Sequence, residues 1–148
     1  MAFNKGDTAT AAQSVKLELD LLKDDNFQVV CVNSLSEALN YTTETWNDFC
    51  SNGFSSSAVT GIDPEWSAEM VLRYEETSVE LTKLRYNIAA INNVPMRITN
   101  TLLNEVVEVN VSITSFELTY VAAELQKASF TIKPFQGAPV VTEPTPAP

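Results

Sequence analysis

The 148-residue sequence contains no histidine. Histidine is the commonest general base and a frequent metal ligand, so its absence excludes the standard Ser-His-Asp and Cys-His catalytic arrangements. Glycine is scarce at four residues, and no GxGxxG, GxxxxGK[ST] or GxSxG motif is present. Adjacent carboxylates such as Glu75 and Glu76 point to opposite faces of an alternating strand and cannot serve one site. We therefore expect no enzymatic activity, no metal and no cofactor.

Cysteine and long apolar runs are also rare. Cys31 and Cys50 are the only two cysteines, and they do not form a CxxC pair. The first residues are polar, so we expect no signal peptide, synthesis in a reducing cytoplasm, and two buried free thiols. No stretch approaches the roughly 18 apolar residues of a membrane span, so we expect no contact with a membrane.

Charge of one sign dominates, because 19 acidic residues against 9 basic ones give a net charge of −10. Such a surface opposes binding of nucleic acid through ion pairs with phosphates. It is compatible with nucleic acid that slides past without being held. The length fits one domain with a core of its own.

Alternating apolar and polar residues predict most of the fold. Residues 15–35 are expected to form a hairpin around the turn at Lys23–Asn26, and further strands are expected at 39–46, 65–75 and 94–103. One helix is predicted over 77–91, because Thr77-x-x-Glu80 fits a capping box and Leu81, Leu84, Ile88 and Ile91 form one apolar stripe. The fold class is therefore mainly β (α+β): a β-sandwich or barrel with one flanking α-helix.

The stretch from Asn104 to Phe135 predicts a β-hairpin with unusually long arms. Val107, Val109, Val111 and Ile113 share one face of the first arm, and polar residues including Glu108 and Thr114 occupy the other. In the second arm, apolar positions from Ala128 to Ile132 alternate with polar ones from Lys127 to Lys133. Arms longer than the usual strand of about 5–6 residues indicate a use beyond the domain's own core. Pairing with another copy, completing a monomeric sandwich, and binding carbohydrate or peptide all fit this pattern.

Composition divides the chain into a flexible N-terminal arm (1–13), a β domain (14–135) and a proline-rich disordered tail (136–148). Residues 48–64, rich in Ser and Gly, predict a long functional loop. Two possible binding sites, one for calcium and one for sugar, each have a simpler structural alternative. Asp20, Asp24, Asp25 and Asn26 carry the oxygen ligands that calcium prefers, although their spacing favours a solvated turn. Trp46, Trp66 and Phe54 would stack on sugars if exposed, although Trp66 lies on the apolar face of its strand.

Several segments in this order are similar to one known family. They are SLSEALNYTTETW, Gly53-Phe54, SAEMVLRYE, LTKLRYNIAAIN, VEVNVSITSFELTY and LQKASFTIKPFQGAP. Over roughly Ser14–Pro139 the chain resembles the major tail tube proteins of long-tailed (siphovirus-like) bacteriophages, especially those of Gram-positive hosts. The resemblance implies a structural virion protein in the phage tail, which forms hexameric rings that stack into a tube. The long hairpin is then used in ring assembly and lines a channel for double-stranded DNA.

The resemblance also implies roles for particular residues. The candidates for acidic charge on the channel wall are Glu18, Asp20, Glu105, Glu108 and Glu117. The candidates for contacts between stacked rings are Asp48, Cys50, Asn52, Gly53, Phe54, Gly61 and Asp63. The expected partners are further copies of the chain, the tape measure protein, and the tail terminator and initiator proteins. Alternatives are the inner tube of a contractile tail or secretion system, and a β-sandwich carbohydrate-binding or adhesion module.

Overall fold

The computed structural model describes residues 15–47, 54–73 and 76–143. Within these ranges the chain is mainly β. Its strands, in chain order, are β1 Val15–Leu19, β2 Gln28–Val30, β3 Ser34–Trp46, β4 Ser56–Val71, β5 Val94–Asn100, β6 Glu105–Thr119, β7 Lys127–Pro134 and β8 Val140–Thr142. Two short helices, α1 Thr77–Lys83 and α2 Ile88–Ile91, lie between β4 and β5. The predicted mainly-β class is confirmed.

All eight strands belong to one antiparallel sheet. The order across it is β2-β1-β5-β6-β7-β4-β3, and β8 pairs with β6. The predicted hairpins are present, because β1 pairs with β2 and β6 pairs with β7. Strand β6 is central. Strand β5 pairs with its first half, up to Val111, and β7 pairs with its second half, from Val111 onward.

One face of this sheet holds the core. The buried positions alternate along the strands, as the sequence pattern predicts. They are Leu17, Leu19, Leu21, Val30, Trp66, Ala68, Met70, Leu81, Val94, Met96, Ile98, Val107, Val109, Val111, Ile113, Ala128, Phe130 and Ile132. A small cavity is lined by Val15, Leu35 and Trp66 together with residues of β5 and β6. Strands that are far apart in the sheet order therefore meet, so the sheet curls and its inner face encloses the core.

The helical segment differs from the prediction of one capped helix. Helix α1 begins at Thr77, so the N-cap residue is Glu76, whose side chain makes no capping hydrogen bond. The chain leaves the helix after Lys83 and re-enters at Ile88, where the Asn87 side chain accepts a hydrogen bond from the Ala90 N–H at 3.3 Å. Asparagine is a preferred N-cap residue, so a new helix begins after Asn87 and the apolar stripe is interrupted there. Helix α1 covers the core with Leu81, whereas Ile88 is 73% exposed.

Two strands were missed in regions of loop-like composition. Residues 56–64 of the predicted loop form the first half of β4, which pairs with β3 from Ser56 onward. In the predicted 136–148 tail, Val140–Thr142 forms β8 and pairs with Val106–Glu108. Non-local pairing overrides local composition in both cases. The expectation of a buried thiol at Cys31 is also wrong, since that residue is exposed. The predicted 1–13 arm and Cys50 lie outside the described residues.

Candidate functional site

The face of the sheet opposite the core carries two rows of small polar side chains across β6, β7, β4 and β3. The pairing registers align Glu117, Ser129, Glu69 and Ser34 in one row, and Ser115, Thr131, Ser67 and Ser36 in the next. All eight side chains line one shallow groove of about 210 Å³. We call this surface the hydroxyl rows. It holds two carboxylates and no cation, so it presents hydrogen-bonding groups with a weak negative charge.

A charged cluster lies further along the same face, on β1, β5 and β6. Arg97 stands between Glu18 at 3.9 Å and Glu108 at 3.7 Å, and its guanidinium stacks on the Phe27 ring at 4.2 Å. Lys16 also approaches Glu18, at 3.8 Å. Because Glu18 and Glu108 are both paired with cations, this part of the face carries little net charge.

Lys133 lies on the face of β7 that carries the hydroxyl rows, two residues after Thr131. Its Nζ lies 3.6 Å from Glu65 Oε2 and 3.8 Å from Asp63 Oδ2. The lysine therefore pairs with carboxylates of β4, and its charge is largely balanced there.

The structure separates the five predicted wall carboxylates. Glu117 lies in the hydroxyl rows, and Glu18 and Glu108 lie in the Arg97 cluster. Glu105 shares the face of Val107, opposite to Glu108, and lines a cavity beside the core. Asp20 is 1% exposed, so it is removed from the candidates for an exposed wall charge.

Asp20 instead holds the turn between β1 and β2. Its two carboxylate oxygens accept hydrogen bonds from the backbone N–H groups of Asp24, at 3.1 Å, and Asp25, at 2.9 Å. Asp25 has a φ of 62°, in the left-handed region that such side-chain bonding supports in turns. These hydrogen bonds support the turn interpretation, although the Asp20 carboxylate is buried and not solvated. In the described part of the chain, no group of three or more carboxylate or thiol side chains could hold a metal ion.

Among the described residues, the sheet leaves an unpaired strand edge on each side of the group β6, β7, β4 and β3. Strand β3 is the last in the order and pairs only with β4, which leaves 13 residues with an open edge. The pairing of β6 with β5 stops at Val111, so the side of Ser112–Thr119 away from β7 is also open. These edges flank the four strands that carry the hydroxyl rows. Unpaired N–H and C=O groups at such edges can pair with another chain.

The β3–β4 hairpin extends past the end of β7. Strand β7 pairs with β4 only from Trp66 to Val71, so Ser56–Glu65 continues past the end of β7. At about 3.3 Å per residue, these residues extend about 30 Å. Large apolar side chains are exposed along this hairpin. They are Tyr41, Trp46, Phe54, Val59 and Ile62.

Apolar side chains are also exposed at both ends of the sheet. Strand β6 begins after the turn that carries Leu102 and Leu103, and it ends at the turn that carries Tyr120, Val121 and Leu125. We call the first the lower end and the second the upper end. The β3–β4 hairpin points to the lower end, because β4 runs antiparallel to β7.

The predicted ring-contact residues fall into three groups. Phe54 is 77% exposed and precedes β4. Gly61 and Asp63 lie within β4, and Asp63 pairs with Lys133. Asp48, Cys50, Asn52 and Gly53 lie outside the described residues. Trp66 is 2% exposed and belongs to the core, which confirms its predicted role.

The described residues contain no helix that is both long and apolar enough to span a membrane. No protein-family model matches this sequence, and no curated protein matches it.

Solved structures match the chain in fold. A chain in the tail of an empty gene transfer agent particle, computed with helical refinement in C6 symmetry, superposes with a TM-score of 0.69 at 13% identity, covering 95% of this chain and 99% of that chain. A chain of the SPP1 tail tube gives a TM-score of 0.66 at 8% identity, covering 89% of this chain and 78% of that one.

A third similar structure comes from the sheath–tube complex of the extracellular contractile injection system PVC in its extended state. Its TM-score is 0.63 at 14% identity, with 96% of this chain and 99% of that chain covered. At such low identities the likeness concerns the fold alone. The chain thus has a fold that also occurs in tail and tube assemblies.

Proposed function

We propose that this protein is a structural virion protein that polymerises as stacked hexameric rings into a phage tail tube, through which double-stranded DNA passes during ejection. One observation carries the proposal. Four adjacent strands, with an open edge on each side, present a continuous hydroxyl-rich surface in a fold shared with chains of tail and tube assemblies.

Ring closure follows from the two open edges. The edge of β3 in one copy pairs with the Ser112–Thr119 edge of β6 in the next copy. This contact is heterologous, because two different surfaces meet, and heterologous contacts generate closed rings when the rotation between copies closes. Each of six copies then contributes β6, β7, β4 and β3 to one barrel, which is large enough to leave an aqueous channel.

The hydroxyl rows line this channel. Serine and threonine exchange hydrogen bonds readily between water and phosphate, and Glu69 and Glu117 repel phosphates at short range. No cation lies in the rows to hold DNA by ion pairing. This wall differs from the one expected from sequence, since Glu117 alone of the five predicted carboxylates belongs to it.

Rings stack with the lower end of one on the upper end of the next. The exposed apolar side chains of the β3–β4 hairpin, including Trp46 and Phe54, then pack against the Tyr120 and Leu125 turn. Burial of apolar area stabilises such contacts by about 25 cal/mol per Å². In the phage, the tape measure protein occupies the channel during assembly. The initiator and terminator proteins lie at the two ends of the tube. We further propose that the tail is siphovirus-like and that the host is Gram-positive.

Proline substitutions in β3 test ring closure. The N–H groups of consecutive strand residues point to opposite sides, so one of Ala38→Pro and Leu39→Pro removes an N–H at the open edge and the other breaks pairing with β4. We expect one of the two variants to fold by circular dichroism yet form no tubes in negative-stain electron microscopy. Ala38→Ser, which keeps the N–H, serves as the control and forms tubes. If every proline variant that folds still forms tubes, this mode of assembly is overturned.

The exposed Trp46 and Phe54 favour a second candidate, a carbohydrate-binding or adhesion module. That function predicts a monomer at every concentration and strong binding on a glycan array, which Trp46→Ala abolishes. The likeness to the PVC sheath–tube chain keeps the inner tube of a contractile system as a further alternative. A gene for a sheath protein beside the gene for this chain would favour that alternative.

A further inference from the structure

An open apolar cavity of about 650 Å³ lies at the lower end of the core, between the β3–β4 hairpin and strand β8. Its wall includes Leu39, Ile62 and Val141, which are 41%, 61% and 59% exposed. Single exposed apolar residues are common, but three around one opening form a patch that calls for a covering group. The described residues therefore leave the core open at this end.

The upper end of the molecule carries exposed apolar side chains on the turn between β6 and β7. Tyr120, Val121 and Leu125 are 67%, 48% and 65% exposed. Tyr120 comes two residues after Leu118 and four after Phe116, both of which pack against the core. Alternation along the strand thus places Tyr120 in line with the core-facing row. The apolar row of β6 extends past the upper end of the core, whereas the core is open at the lower end.

Unpaired charges of opposite sign lie at these two ends. Glu37 and Glu105 line the lower-end cavity, and neither makes an ion pair with a described residue. Lys127 follows the upper turn, and Arg73 comes two residues after Val71, the pairing partner of Lys127. Neither cation makes an ion pair or a hydrogen bond with a described residue. Each of the other lysines and arginines in the described ranges makes one or the other.

We propose that the β6–β7 turn of one copy occupies the lower-end cavity of a second copy in the adjacent ring. Tyr120 and Leu125 fill the apolar opening, and Arg73 and Lys127 face the two carboxylates that line it. This inference rests on the proposed function, because head-to-tail stacking brings the upper end of one copy to the lower end of another. The hairpin beside the cavity then covers the outer side of the same turn.

The charges also select one direction of stacking. Contact between two lower ends would bring the Glu37 and Glu105 side chains of both copies together without a cation. Contact between two upper ends would bring Arg73 and Lys127 of both copies together and leave every cavity open. Head-to-tail contact pairs opposite charges, although Glu124 adds one acidic group to the turn. Like charges at an interface suppress the wrong arrangement, so the tube has a single polarity.

Cysteine cross-linking of assembled protein tests the contact. Leu39→Cys and Val121→Cys are combined in a background with Cys31→Ser and Cys50→Ser, and a short bis-maleimide is added. We expect a ladder of covalent multimers on a denaturing gel, because each copy offers one cavity and one turn. Either cysteine alone should give monomers. As a control, Leu39→Cys combined with Tyr86→Cys, which places the second thiol outside the proposed contact, should give no ladder.

Substitutions then measure the apolar and the charged parts of the contact. Tyr120→Ala should raise the critical concentration for tube formation by roughly 10-fold, because it removes an aromatic ring that is buried only on stacking. Lys127→Glu should raise it by roughly 3-fold, as expected for an exposed ion pair, and Glu105→Lys in the same chain should restore it. Lys83→Glu makes the same charge change on helix α1 and should have no effect. Circular dichroism checks that each variant folds.

The outcomes separate this contact from the proposed function. Tubes that form without a ladder overturn the contact and leave the proposed function intact. Dimers from Leu39→Cys alone also overturn it, because two lower ends would then meet. Unchanged critical concentrations for both Tyr120→Ala and Lys127→Glu would have the same consequence. Absence of tubes from the unmodified chain at every concentration contradicts the proposed function, and the contact fails with it.

Discussion

Asp20 offers the sharpest test of the structure against the sequence-based expectation. In sequence it is a candidate for charge on a channel wall, whereas in the structure it is buried and accepts two backbone hydrogen bonds. The substitution Asp20→Ala removes both acceptors and leaves the N–H groups of Asp24 and Asp25 without their partners.

The expected cost follows from these contacts. A hydrogen bond to a charged group contributes about 1.5–3 kcal/mol when it is buried. Both bonds here are partly buried, so water recovers some of the loss. We therefore expect Asp20→Ala to lower the free energy of unfolding by about 2–4 kcal/mol, which is a large fraction of typical stability. Asp20→Asn keeps one acceptor oxygen and should cost about half as much.

Urea unfolding followed by circular dichroism measures the effect, with the m-value as a check on two-state behaviour. Asp24→Ala is the matched control, because its side chain makes one exposed bond, to the Asn26 N–H at 3.2 Å, and should cost about 0.5 kcal/mol. Under conditions where it is folded, the Asp20→Ala protein should still form tubes. Unchanged stability combined with altered tubes would refute the structural role and return Asp20 to the channel wall.

Other substitutions test the turn, the surface charges and the stacking contact. Ala123 has a φ of 64°, so Ala123→Gly should raise stability by about 0.5 kcal/mol in thermal unfolding, whereas Glu124→Gly should lower it. Lys133→Gln should lower stability by less than about 1 kcal/mol, and high salt should abolish the difference; a larger, salt-independent loss would contradict the surface pairing. Phe54→Ser should leave monomer stability unchanged and shorten the tubes. The control Tyr86→Ser, at a residue that is 85% exposed, should leave tube length unchanged. Equal tube lengths for both variants would exclude Phe54 from ring stacking.

The strands that sequence predicts correctly are those with a pattern of their own. Strict alternation from Val107 to Ile113 reports burial on one face directly, and it identifies the β6–β7 hairpin without knowledge of any neighbour. The first half of β4 has no such pattern, since its sequence is SSAVTGIDP. It is a strand because β3 pairs with it, and that contact is invisible to local composition.

The candidate surface was predictable only in part, for a related reason. Glu108 and Glu117 are an odd number of residues apart, so strict alternation places them on opposite faces. The register shift between Ile113 and Ser115 inserts an extra residue and returns both to the same face. Glu105 lies before this shift and stays on the other side. A bulge has no clear sequence signal here, so the faces of the second half of β6 could not be assigned from sequence.

The polar residues of β3 and β4 were missed because they become neighbours of β6 and β7 only through the sheet order. Ser36, Ser67 and Thr131 are far apart in sequence, and each resembles an ordinary surface residue. The pairing of β4 with β7 brings them together. Their shared row is a property of topology, which a single sequence without aligned relatives does not contain.

This placement changes the physical argument for a DNA channel. The net charge of −10 belongs to the whole chain, and most of it lies away from the hydroxyl rows. Charges more than about 8 Å away are largely screened at physiological ionic strength, so distant carboxylates contribute little to the potential at the wall. Non-specific binding to DNA is driven by cations that displace counterions from phosphates. In the proposed channel, the hydroxyl rows themselves therefore offer DNA no cation to bind, and their two carboxylates add repulsion in each copy. Of the two lysines beside the rows on the same face of β7, Lys133 is balanced by Asp63 and Glu65, which leaves Lys127 as the cation nearest to the rows.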